Sequence, residues 1–278
     1  MSTPLRLGIS TCPNDTYAFH GLLSGAVAAT GLELEIELHD VQELNERLLA
    51  GALDAAKASF HAALRAGAEL VVLPCGAALG FGLGPVLLAP SDRATPPDPL
   101  VLCPGEWTTA TLLWRLLHPG EGHVEQVVFD QIMPALAEGR ADLGVCIHEG
   151  RFTWRAHGLR LVEDLGSRWE RRTCAPLPLG GIVARRDLGT RALESLRAAI
   201  ARSLEHARAH PEAALATMRR HAQEQRDEVL WAHVELYVNN WTRDLGRQGR
   251  GALEALRRAA CEAGLIAPDA PALEVFEG

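Results

Sequence analysis

Lysine is nearly absent from this chain: of 27 basic residues 26 are arginine, and Lys57 stands alone. No basic block offsets the formal net charge of −8, so the footprint of a nucleic-acid binder is missing and the acidic surface reads as a solubility feature. No stretch approaches 18 uninterrupted apolar residues, which excludes a membrane-spanning helix on sequence grounds. The N-terminus passes from Met1-Ser2-Thr3-Pro4 straight into a five-residue apolar strand without an apolar run of signal-peptide length, so the cytoplasm is the expected location. Six cysteines, Cys12, Cys75, Cys103, Cys146, Cys174 and Cys261, include no Cys-x-x-Cys pair and no zinc spacing. Reduced and mostly buried thiols are expected. The histidine-rich segment from His206 to His233 contains no His-Glu-x-x-His arrangement, so no metal is expected there. Gly76 to Pro85 is dense in glycine, but a strand rather than a helix follows. That argues against a dinucleotide loop and for a hinge or a close backbone approach.

What is present suits a large core. At 278 residues and 47% hydrophobic, the chain can form two modest lobes or one large domain. Leu5–Ile9 reads as a first strand, and Ser10 to Thr16 as a polar loop leading into a helix over 17–23. Ser, Asn, Asp and Thr suit a helix start, so this loop is either a plain cap or an anion-binding turn carrying Cys12, Asn14 and Asp15. Leu32–Leu38 alternates as a half-wet strand, and a helix follows over 41–50. Lys57 and Ser59 lie two apart. On a strand they face the same way, offering an ammonium and a hydroxyl to one anionic group.

Strands are then predicted over 69–73, 86–89 and 100–103, with the four-proline stretch Pro90 to Pro99 as the crossing between lobes. Thr108 or Thr109 caps a helix over 110–117, as pure capping or as a second anion cradle. A strand over 124–129 and a helix over 130–138 lead to the apolar run Leu143 to Ile147, which stops at His148. Open α/β sheets place their ligands at the carboxyl ends of strands. His148 is therefore a candidate proton-transfer group, or simply a boundary histidine bonded to a neighbouring loop. Strand and helix alternate, which predicts a mainly parallel sheet. Gly180 and Gly181 precede a strand returning to the first lobe. From Thr190 onward the pattern is helical, three or four amphipathic helices with breaks near Pro211 and at Gly246 to Gly251.

Several motifs then stand in one order: Ser10 to Thr16, Lys57-Ala58-Ser59, Gly76 to Pro85, Thr108-Thr109-Ala110, Ile147 to Thr153, Pro176 to Gly181 and Tyr237-Val238-Asn239. From Leu5 to about Leu256 the chain resembles the 1,4-dihydroxy-6-naphthoate synthase family of the futalosine route to menaquinone. The resemblance implies an α/β fold of two lobes, of the type II periplasmic-binding-protein kind, with mainly parallel sheets and a C-terminal helical segment packed on the large lobe. It implies a large lobe from residues 1–92 and 189–278 and a small lobe from 93–188. It further implies a carbon–carbon lyase acting on cyclic dehypoxanthinyl futalosine without metal or organic cofactor. His148 matches the family's catalytic base; Lys57, Ala58, Ser59, Thr108 and Thr109 match its substrate-binding positions. Cys12, Asn14, Asp15, Gly180 and Gly181 are expected along the cleft. Two positions depart from the family pattern: Thr11 stands where proline is common, and Phe81 where arginine is common. The partner expected is a small carboxylate, with no nucleic acid and no membrane. Two rival readings share the fold: a non-enzymatic carboxylate-binding protein, against which the missing export signal counts, and the sister chorismate-dehydratase-like enzyme. The Cys-Pro-Asn-Asp-Thr and Ile-His-Glu-Gly-Arg-Phe-Thr motifs point away from the latter.

Overall fold

A computed structural model describes residues 4–148 and 150–277, so Glu149 of the strand-end motif lies outside it. The first half of the chain builds a sheet from β1 (Leu5–Ser10), β2 (Leu34–His39), β3 (Ala55–Ser59), β4 (Leu70–Val72) and β5 (Ala78–Gly80). Between them come α1 (Pro13–Ala18), α2 (His20–Leu23), α3 (Val41–Leu49) and α4 (Phe60–Ala66). A second sheet follows from β6 (Val86–Pro90), β7 (Leu100–Cys103), β8 (His123–Gln126), β9 (Leu143–Cys146) and β10 (Leu159–Asp164). Its helices are α5 (Thr109–Leu117), α6 (Ile132–Ala137), α7 (Gly150–Thr153) and α8 (Leu165–Thr173). The long β11 (Leu177–Arg185) then rejoins the first sheet, and α9 (Thr190–Ala209), α10 (Pro211–His221), α11 (Asp227–Tyr237), α12 (Asn240–Arg243) and α13 (Gly246–Glu262) close the chain.

The first sheet runs β2-β1-β3-β11-β4, with β5 on β11, and the second runs β10-β6-β9-β7-β8. Both are mixed rather than mainly parallel. β1, β2 and β3 run parallel, as do β7, β8 and β9, because each is reached through a helical crossover. The strands that carry the chain between sheets reverse direction: β11 is antiparallel to β3, β4 and β5, and β6 to β9 and β10.

The passage from first to second sheet lies between β5 and β6, ahead of the proline-rich stretch, which instead joins β6 to β7 within the second sheet. Glycine is needed there for contact. A Cβ on Gly166 would stand 2.2 Å from the carbonyl oxygen of Leu83, and one on Gly84, at φ +138°, would stand 2.8 Å from the Cα of Gly166. Arg151 secures this corner by donating to the carbonyls of Gly82 (2.8 Å) and Gly84 (3.0 Å) and to Asp164 (2.8 Å).

The C-terminal helices cover the first sheet as expected. Leu196, Ile200, Leu204, Leu215, Met218 and Leu230 pack on Leu7, Ile9 and Ile182. Burial on both faces explains why β1 and β3 read as near-continuous apolar or small residues. A break falls at Pro211, but Gly246 to Gly251 open α13 instead of interrupting a helix, with Gly249 on its buried side against Leu245 and Trp241. A second cluster joins Phe60 and Leu79 to Leu112, Trp114 and Trp169 beside the junction of the sheets. Among the described residues no helix is long and apolar enough to cross a membrane.

Candidate functional site

A cleft of about 660 Å³, counted out to its open mouth, lies between the two sheets. Its walls come from strand ends and helix starts: Ser10, Cys12, Asn14 and Asp15 after β1, Lys57 to Ser59 on β3, Thr108 and Thr109 at the start of α5, and His148 after β9. Gly180 borders it on β11, paired with Ser59; a Cβ there would stand 2.6 Å from the carbonyl oxygen of Ala58, so its smallness serves strand packing. Gly181 packs on Phe60 instead of facing the cleft.

The loop after β1 does not present itself as an anion-binding helix start. The N-cap is Cys12, with no side-chain cap bond, and the loop's polar side chains converge on its own carboxylate. Asp15 accepts from Ser10 Oγ (2.6 Å), Asn14 Nδ2 (2.9 Å) and Lys57 Nζ, and Lys57 also donates to the carbonyl of Gly76 (3.0 Å). Lysine and aspartate are both buried. The sole lysine thus answers an internal negative charge, its compact ammonium shared between Asp15 and the carbonyl of Gly76.

Ser59 accepts a hydrogen bond at Oγ from Asn45 Nδ2 (3.1 Å), which leaves its own hydroxyl hydrogen for a ligand. Thr108 caps α5 by accepting from Thr111 N–H (3.2 Å) and spends its proton on the carbonyl of Gly105 (2.8 Å). Thr109 donates to the carbonyl of Leu179 (2.6 Å). Both threonine hydroxyl protons are therefore committed within the protein. Among the described residues the amides of Thr109 and Ala110 meet no acceptor, so this helix start offers backbone donors rather than paired hydroxyls.

His148 takes a left-handed backbone, φ +54°, a conformation histidine visits more readily than most residues. Its imidazole stands with Cys12 Sγ 3.2 Å from Nδ1 and 3.5 Å from Nε2 and with the Phe129 ring edge-on, the ring centres 4.7 Å apart. Burial, and then the charge of Lys57, push its pKa down to about 4, so the ring is neutral at ordinary pH. Behind it His233 of α11 stacks at 6.3 Å, between Phe152 and Tyr237. Burial pushes the pKa of His233 to about 3 and the nearness of His148 lowers it too; Asp15 and the backbone of His148 partly offset this without closing a hydrogen bond.

Asn45 and His233 carry no motif and escape a reading by sequence. The one signal for Asn45 is an amide between Leu44 and Leu48 on the buried side of an amphipathic helix. Phe81, by contrast, is exposed and edge-on to Trp241 at 6.2 Å, away from the cleft wall. Among the described residues no group of three or more His, Cys, Asp or Glu side chains could hold a metal ion.

Residues 5–262 match the family model described as menaquinone biosynthesis. A 1,4-dihydroxy-6-naphthoate synthase of Thermus thermophilus is 46% identical over 95% of this chain and 96% of its own length. The chain belongs to the menaquinone biosynthesis family. The crystal structure of protein AF1704 from Archaeoglobus fulgidus superposes with a TM-score of 0.89 at 29% identity, covering 95% of this chain and 98% of that one. A Candida albicans protein described as having the generic periplasmic-binding-protein fold superposes with a TM-score of 0.67 at 11% identity, over 96% of this chain and 92% of that one, which speaks for the fold alone. This menaquinone-biosynthesis enzyme is thus a two-lobed α/β protein of that architecture.

Three histidines give this family member a defined acid response. His61 donates from Nδ1 to the carbonyl of Thr108 (3.1 Å), and burial holds its pKa at about 4, like that of His148; His233 lies lower still. In the unfolded chain each binds a proton near pH 6.5. The folded values are depressed, so neutral folded rings contribute stability above about pH 6.5 that is lost as pH falls toward 4. Chemical denaturation across that window is expected to show the unfolding free energy falling with a slope approaching three protons, about 4 kcal/mol per pH unit at its steepest.

Proposed function

We propose that the enzyme is a carbon–carbon lyase converting cyclic dehypoxanthinyl futalosine to 1,4-dihydroxy-6-naphthoate, with His148 as general base. The observation that carries this reading is the placement of the His148 imidazole in the same cleft as Ser59 and the start of α5. Removal of a proton from the substrate leaves an electron pair that completes the new aromatic ring as the bond to the sugar-derived fragment breaks; that fragment departs with the bonding pair and takes up a proton, so the protons and electrons balance without an oxidant. A positioned base supplies about 10²- to 10⁴-fold, or roughly 3 to 5 kcal/mol of barrier, and aromatisation drives much of the rest.

In this reading the substrate carboxylate lies between Ser59 and the Thr109 and Ala110 amides, where the positive end of α5 favours an anion. Lys57 and Ala58 shape the wall beside it, Lys57 acting as a fixed positive charge held by Asp15. The first sheet with the C-terminal helices forms one lobe and the second sheet the other, and their closure excludes water. Ser59→Ala removes one charge-assisted donor and is expected to raise KM about tenfold with kcat little changed. Unchanged saturation kinetics would remove Ser59 from the cradle.

Incubating the purified protein with the cyclic futalosine, and with chorismate in parallel, and following naphthoate absorbance tests the assignment. Naphthoate formation is the expected result. Tight binding without product would favour a solute receptor of this fold, and turnover of chorismate alone would favour the sister enzyme.

A further inference from the structure

The peptide of Trp107 is gripped at both ends by α3. Its N–H donates to Oε1 of Gln42 (3.0 Å), and its carbonyl accepts from Nδ2 of Asn45 (3.3 Å). The two side chains are three residues apart, the spacing that places them on one face of the helix. α3 packs on β1 and β3 of the first sheet, whereas Trp107 follows β7 of the second and immediately precedes Thr108. The grip therefore bridges the sheets. Gly105 makes room for it: at φ +116°, a Cβ there would lie 2.5 to 2.7 Å from three atoms of the Gln42 side chain.

Asn45 is fully buried and spends its whole amide. Besides Trp107, Nδ2 donates to Ser59 Oγ (3.1 Å) and Oδ1 accepts from Ser59 N–H (2.8 Å). A backbone N–H can only donate, so Oδ1 is fixed on that side and Nδ2 on the other. Ser59 Oγ must then act as acceptor toward Asn45, which turns its hydrogen elsewhere. An aspartate of the same shape would reverse this. It cannot donate, so the Ser59 hydrogen would turn to it and the bond to Trp107 would be lost.

We propose that Asn45, assisted by Gln42, is a positioning residue that aligns the two halves of the anion cradle, Ser59 from the first sheet and the α5 start from the second. It sets affinity for the substrate carboxylate and leaves the proton-transfer step untouched. The inference rests on the carboxylate placement argued above, so its test has a ligand-free arm.

Asn45→Asp is expected to raise KM for the cyclic futalosine by at least about tenfold, 1.4 kcal/mol, with kcat within about threefold. In the ligand-free protein, hydrogen exchange should accelerate both around Ser59 and around Trp107 to Thr111, because one amide serves both. Gln42→Ala, which leaves the Ser59 bonds in place and keeps the test open should Asn45→Asp fail to fold, should accelerate exchange around Trp107 only and raise KM about threefold. Unchanged exchange around Trp107 in both variants, or a KM unaltered in a folded Asn45→Asp protein, would overturn the proposal. Absence of turnover by the wild type would instead strike the substrate assignment, and the exchange measurements would still decide whether α3 holds the second sheet.

Discussion

Asparagine in place of His148 is expected to lower kcat by about 10²- to 10⁴-fold while KM stays within a few-fold and the far-ultraviolet circular dichroism is unchanged. Asparagine tolerates the left-handed backbone that position 148 adopts, so the loop is not strained by the exchange. Its amide can still meet the thiol of Cys12, but it cannot take a proton near neutral pH. The pH profile of the wild type checks the same point from another side. With the imidazole held at about 4 by burial and by Lys57, the base stays neutral and competent well below pH 6.5, and activity falls only as pH approaches 4. The base is lost by protonation, so the limb lies on the acid side. Full activity in the His148→Asn protein would take the imidazole out of the reaction, whereas an acid limb near 6.5 that disappears with His148 would keep the imidazole as base and deny that burial and Lys57 depress it.

The position of His148 was readable because an apolar strand that ends abruptly in a polar residue has one natural site for that residue, the open edge of the sheet. The five-residue run before it and the capping residue type at the start of α5 are local signals, and local signals survive folding: Thr108 caps α5 as its residue type suggests, while Thr109 opens the helix. What could not be read is how distant segments share partners. Cys12 and His148 lie 136 residues apart in the chain, and Asp15 and Lys57 lie 42 apart. Nothing in the polar loop 10–16 distinguishes a binding site for an external anion from a turn that supplies its own, and the structure brings the lysine to Asp15. The same limit explains the strand directions. Helical crossovers within each half suggest parallel pairing, but β6 and β11 are paired by the exchange of the chain between sheets, which strand-helix alternation does not encode. Gly84 and Gly166, 82 residues apart in the chain, touch at that exchange, so the glycine-rich stretch was legible as a close approach though not as to its partner.

Lys57→Met is expected to destabilise the fold by about 3 to 5 kcal/mol, read as a lower denaturation midpoint with an unchanged denaturant slope. The methionine fills the volume of the lysine stem, so the loss is not one of packing. It comes from Asp15, left buried with Ser10 and Asn14 as donors but without its counter-charge. Burying a charge pair adds little net stability, whereas removing one partner exposes the desolvation cost of the other. Asp15→Asn added to Lys57→Met should therefore recover most of the loss, because a neutral amide of the same shape needs no cation. Single and double variants together form a cycle whose coupling energy isolates the pair. A second consequence follows at His148. The ammonium lowers the pKa of the imidazole, so its removal lets that pKa rise, and the acid limb of activity in Lys57→Met should move toward neutral pH. The Asp15→Asn/Lys57→Met protein should keep that shifted limb even as its stability returns, since restoring the fold does not restore the charge. Recovery of both together would mean that Lys57 acts on His148 only through the folding of the loop, and an unshifted limb in the single variant would deny the lysine any electrostatic hold on the base.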